Sequence, residues 1–165
     1  MKIRSTVLPG ALVAAAIASA VPAAAQEEMH EEMRDRMHGV EYLNSRPIAD
    51  NLPFSEAVRV GPMLYLSGQI GIDPETGELA AGGIGPETRQ TMQNIQATLE
   101  RYGSSMDRVV KCTVMLADIV EWGAMNEVYV TFFGDYKPAR SAFGSTGLAL
   151  GSRVEIECMA TLGDM

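Results

Sequence analysis

Arg140 follows a proline in Lys137-Pro138-Ala139-Arg140-Ser141, and two carboxylates, Glu155 and Glu157, stand two positions apart in the apolar run Val154 to Leu162. An arginine is a planar, permanently charged fork that grips a carboxylate with two hydrogen bonds. A carboxylate on a stiff strand can hold a water or pass a proton. Together these residue types point to a site for a small acid that reacts with water. Each has a plainer role too: Arg140 as the ion-pair partner of Glu155 or Glu157, and Glu157 as a solvated strand position.

The elements that must position these residues are legible behind an N-terminal segment of different character. Lys2 and Arg4 precede an apolar run from Val7 to Val21, and Ala23-Ala24-Ala25 supplies a small-residue cleavage pattern. This predicts a secretory signal peptide over residues 1–25, cleaved after Ala25, and a secreted or periplasmic protein with no stable membrane anchor. The 165-residue chain has 13 Lys and Arg against 21 Asp and Glu, and removing Lys2 and Arg4 leaves 11 against 21, a net charge of about −10. Such an acidic protein is poorly suited to a polyanion, so nucleic acid is not an expected partner. The two cysteines, Cys112 and Cys158, would meet an oxidising compartment, where pairing requires their Cα atoms to lie within about 7 Å.

Residues 26–50 read as an N-terminal arm rich in Met, His and Glu. Met29, Met33 and Met37 recur every four residues beside His30 and His38. A stripe of thioethers and imidazoles suits copper, but it equally suits packing on a neighbour. Beyond it, residues 51–165 form one domain. Ala57 to Val60 and Met63 to Leu66 flank Gly61-Pro62 as a hairpin, and Ser67 to Ile70 continue its second arm. Pro86 to Tyr102 carries Met92, Ile95, Leu99 and Tyr102 on one helical stripe. Val109 to Leu116 is a β-branched strand. Asp118 caps a second helix running to Phe133, with Ile119, Trp122, Met125, Tyr129 and Phe132 on its buried side. The order is β-β-(β)-α-β-α-β-β, an α+β sheet whose free face calls for a cover, which another copy of the chain would supply.

Several segments, in order, resemble those of the RidA/YjgF family. They include Asn51 to Val58, Leu66-Ser67-Gly68-Gln69-Ile70, Asp73-Pro74-Glu75-Thr76-Gly77, Thr88-Arg89-Gln90, Val110 to Val114, Asn126-Glu127-Val128-Tyr129, Pro138-Ala139-Arg140-Ser141 and Val154-Glu155-Ile156-Glu157. The likeness covers about Asn51 to Leu162. It implies a chorismate-mutase-like fold, a curved mixed six-stranded sheet with two helices on one face, assembled as a homotrimer with sites between subunits. It also implies an enamine/imine deaminase that hydrolyses reactive 2-imino acids to 2-oxo acids and ammonia without a metal or organic cofactor. By the same resemblance Arg140 binds the substrate carboxylate and Glu155 orients the attacking water. Gly68, Ser67 and Asn126 line the site. Phe54 stands where family deaminases commonly have tyrosine and Ala142 where they often have cysteine, which reshapes the pocket walls. A non-catalytic acid-binding or chaperone-like trimer is the alternative the same residues allow.

Overall fold

The computed structural model describes residues 22, 24–29, 39–45 and 52–163. Most of the expected signal peptide, and His30, Met33, Met37 and His38 of the arm, lie outside the described residues. Residues 24–29 are helical, and Met29 on that stretch is exposed. Among the described residues no group of three or more His, Cys, Asp or Glu side chains is gathered as metal ligands would be. No helix among them is long and apolar enough to cross a membrane.

One sheet organises the rest. Its strands are β1 (Val40–Leu43), β2 (Ala57–Val60), β3 (Met63–Leu66), β4 (Gln69–Ile70), β5 (Val109–Leu116), β6 (Ala139–Gly144) and β7 (Val154–Thr161). The order is β1-β2-β3-β7-β5-β6, with β4 pairing β7 beyond the end of β3. Only β5 and β6 run parallel, joined by a helical crossover; the other pairs are antiparallel.

Two helices, α1 (Ile84–Arg101) and α2 (Trp122–Tyr129), pack on one face of the sheet. Alternation decides which strand residues meet them. Cys112, Val114 and Leu116 of β5 and Val154, Ile156, Cys158 and Ala160 of β7 are buried, and join Met92, Ile95 and Leu99 of α1 and Met125 and Tyr129 of α2 in one core. The intervening residues, Lys111, Thr113 and Met115 on β5 and Glu155, Glu157 and Met159 on β7, are half-buried on the helix-free face. Cys112 and Cys158 are directly opposed across the β5–β7 pair and form a disulfide. Both are buried, so the bond staples the two central strands inside the core.

Three expectations need correction. Among the described residues the sheet has seven strands, not six: the four-residue Val40–Leu43 adds an edge strand to β2, and the arm that pairs with β7 breaks at Ser67-Gly68, so that Gln69–Ile70 resumes on β7 as a separate strand one residue out of register. The second helix does not run unbroken from Asp118 to Phe133. Asp118 accepts from the Val120 backbone N–H, capping a 3-10 turn over Ile119–Glu121; eight α-helical residues and a second 3-10 turn over Val130–Phe132 follow. Gly123 and the β-branched Val120, Val128, Val130 and Thr131 are poor helix formers, so propensity does not hold one long rod. Ile119 and Trp122 are consequently not on a buried stripe; they are 49% and 41% exposed.

Candidate functional site

The expected site residues fall into two groups, on opposite faces of the sheet. Directly opposed residues on neighbouring strands point the same way. Arg140 opposes Cys112, a core residue, so its side chain emerges on the helix side; Ala142 opposes Val114 and does the same. Glu155 opposes Met115 and points to the helix-free face.

On the helix side, α2 supplies the partners of Arg140. Its Nη1 donates to Asn126 Oδ1 at 2.8 Å, and its guanidinium carbon lies 4.7 Å from the ring centre of Tyr129 and 5.4 Å from that of Trp122. Positions 122, 126 and 129 share one helical face, which is why one arginine meets all three. Aromatic faces attract the delocalised cation and hold it without consuming its hydrogen-bond donors. Among the described residues Arg140 forms no ion pair with Glu155, Glu157 or any other carboxylate. Its other donors remain open to a two-oxygen anion. The Tyr129 hydroxyl is buried and has no hydrogen-bond partner among the described residues. Burial pushes this phenol up to about 12, with the Arg140 charge pulling the other way, so it stays neutral at ordinary pH.

On the helix-free face, Gly68 and Glu155 meet. A Cβ built on Gly68 would run into Glu155 Oε1, so the carboxylate occupies the space that a side chain at Gly68 would fill. Glu155 makes no ion pair or side-chain hydrogen bond among the described residues, which leaves both its oxygens available. Ser67, next to Gly68, has its hydroxyl committed: Oγ donates to the Ser55 carbonyl at 2.6 Å, the structural role open to a strand-end serine. That bond ties the Phe54-Ser55 turn to the glycine, and Phe54 is 56% exposed beside it. Glu157, two residues along β7, lines a depression of about 120 Å³ with Tyr65, Lys111, Thr113 and Met159.

The sequence reading selected Arg140, Asn126 and Ala142, which share the helix side, and Ser67, Gly68, Phe54 and Glu155, which cluster around the β3–β4 break. It did not identify Trp122 and Tyr129 as neighbours of the arginine. Their spacing of four before and three after Asn126 was the available signal.

A family model described as endoribonuclease L-PSP matches residues 44–162. Among curated proteins, the mouse 2-iminobutanoate/2-iminopropanoate deaminase is 44% identical over 111 residues, 67% of this chain and 82% of that protein. The human protein of the same name is 42% identical over 113 residues, 68% of this chain and 82% of its own length. Among solved structures, RidA from an Antarctic Psychrobacter superposes with a TM-score of 0.65 at 35% identity, covering 76% of this chain and 98% of that one. The YjgF gene product of E. coli gives 0.63 at 33% identity, covering 66% and 87%.

Proposed function

The chain belongs to the RidA/YjgF family, and from that premise we propose that it is an exported enamine/imine deaminase that hydrolyses 2-imino acids to 2-oxo acids and ammonia. The observation that carries the reading is Arg140: a part-buried arginine, held by Asn126 and two aromatic rings and without a carboxylate partner among the described residues. A cation so positioned is suited to a substrate carboxylate.

Glu155 is the second half of the chemistry. An imine carbon is already electrophilic, so the protein has to place water against it and take the proton that water loses. Water adds to C2 while Glu155 accepts its proton and returns it to the imine nitrogen, giving a carbinolamine; the hydroxyl proton then passes to the amino nitrogen, the carbonyl forms as the C–N bond breaks, and ammonia leaves the 2-oxo acid. Glu155 and Arg140 lie on opposite faces of one chain, so a single copy does not assemble this site. We therefore place the reaction in a homotrimer, in clefts where the Arg140 half of one chain meets the Gly68–Glu155 half of the next. The helix-free face, with Val58, Tyr65, Met115, Met159 and Phe143 on it, supplies apolar surface for such an assembly. The disulfide fits an oxidising compartment and so supports export; a mature N-terminus at Gln26 in the exported fraction checks it, and one at Met1 contradicts it. The net charge of −8 works against ribonuclease activity, whatever the family description says.

The test is a coupled assay in which an amino-acid oxidase generates imines and their hydrolysis is followed in intact protein, Arg140→Ala and Glu155→Gln. Loss of acid-base help costs roughly a hundred- to ten-thousand-fold in rate, so Glu155→Gln should be severely impaired, and Arg140→Ala should be impaired through loss of its two-bond grip on the substrate carboxylate. Equal rates in all three remove the catalytic roles. Binding of 2-oxo acids by intact protein without turnover would favour a carboxylate-binding protein, for which Arg140 and Asn126 alone suffice.

A further inference from the structure

Trp122 begins α2 and is the only tryptophan of the chain, yet 41% of it is exposed and its ring flanks Arg140 at 5.4 Å. The core does not need an indole there. Its neighbour Ile119 is also half exposed, and a Cβ on Gly144 would lie 3.2 Å from the Ile119 Cβ, so the end of β6 lies against this turn. Along the helix side of β6 the residues following Arg140 are Ala142 and Gly144, the two smallest side chains available. Ile119 therefore covers Gly144, Ala142 packs against the core, and the exposed side chain beside the Arg140 guanidinium is Trp122. An acid whose carboxylate sits on Arg140 must carry its side chain past whatever flanks the guanidinium, and here that is an aromatic ring.

Resting on the deaminase reading above, we propose that Trp122 is a specificity-determining residue, its indole forming the wall against which the substrate side chain packs, so that the site favours 2-imino and 2-oxo acids with aromatic or large apolar side chains. Stacking of one aromatic ring on another adds to simple burial and is directional, which makes the preference strongest for a ring.

The experiment compares hydrolysis of oxidase-generated imines of phenylalanine and of alanine by intact protein, Trp122→Ala and Trp122→Phe. Loosening of Arg140 would slow both substrates alike, so the readout is the ratio of the two kcat/KM values. Intact protein should favour the phenylalanine imine. Trp122→Ala should lower that preference about three- to tenfold, as expected for loss of an aromatic contact, and Trp122→Phe should keep most of it. A ratio unchanged by Trp122→Ala overturns the assignment. In parallel, Trp122 fluorescence in the unmodified sequence is titrated with phenylpyruvate and with pyruvate. A saturable change at lower concentration for phenylpyruvate, abolished by Arg140→Ala, is expected; identical curves for the two acids contradict the proposal. If no imine is hydrolysed, the deaminase reading fails, and the titration alone then decides whether Trp122 selects the bound acid.

Discussion

Arg140 and Glu155 differ in what their surroundings leave free. Arg140 spends one nitrogen on Asn126 and both aromatic contacts on staying in place, and keeps its remaining donors. Glu155 is placed by an absence, the missing side chain of Gly68, whose backbone does not adopt a left-handed conformation. Alanine there is tolerable to the main chain, and the atom it meets is the far end of a flexible side chain, so Gly68→Ala should move the carboxylate and little else. Thermal melting should change by less than about 1 kcal/mol, whereas imine hydrolysis should fall by about a hundredfold, as a displacement of roughly 1 Å does. Melting and the coupled assay on the same preparation check this; an unchanged rate would detach Gly68 from the site. At this scale the residue types were readable and their partners were not. Arg140 and Glu155 carry charges that advertise chemistry, but which face each occupies depends on opposition to Cys112 and Met115, a register set by three strands far apart in sequence.

The elements that sequence resolved best are those whose signal is local. Val109–Leu116 is legible because β-branched and apolar residues fill it, with Lys111 and Thr113 alternating among them. Helix α1 begins at Ile84, two residues before Pro86, because a proline within the first turn costs no hydrogen bond. The four residues at Val40 escaped because they carry too few alternations to read, the break that makes Gln69–Ile70 a strand of its own was not visible in the continuous arm, and α2 is fixed by packing more than by propensity. Glu56 belongs at this scale, since it ties the start of β2 to the end of α1. Its carboxylate accepts from Tyr102 Oη at 2.8 Å and the Ser45 backbone N–H at 3.0 Å, and pairs with Arg101. Burial raises its pKa, but the bonds from Ser45 and Tyr102 and the Arg101 charge outweigh this and hold it below the ordinary 4.5. A depressed carboxylate contributes stability above its unfolded value and loses it as pH falls through the folded one. Glu56→Gln should therefore lower the melting temperature at neutral pH and flatten its decline below pH 4.5; an identical acid limb in both proteins would contradict that role.

For the whole molecule, the disulfide and the assembly matter most. Cys112 and Cys158 are 46 residues apart, and closing a loop of that length restricts the unfolded chain by about 4 kcal/mol on the loop-entropy argument. Reduced protein should accordingly unfold at clearly lower denaturant concentration than oxidised protein, and coincident unfolding curves would count against the staple. The central claim is that the reaction site is divided between chains, Arg140 from one and Glu155 from another. Co-expressing Arg140→Ala with Glu155→Gln tests it directly. Each variant alone should be nearly inactive, but in randomly mixed trimers about a quarter of clefts would unite an intact arginine half with an intact glutamate half, returning about a quarter of the intact rate. A mixture no more active than the separate variants, with mixed trimers demonstrated by mass, would contradict the shared site.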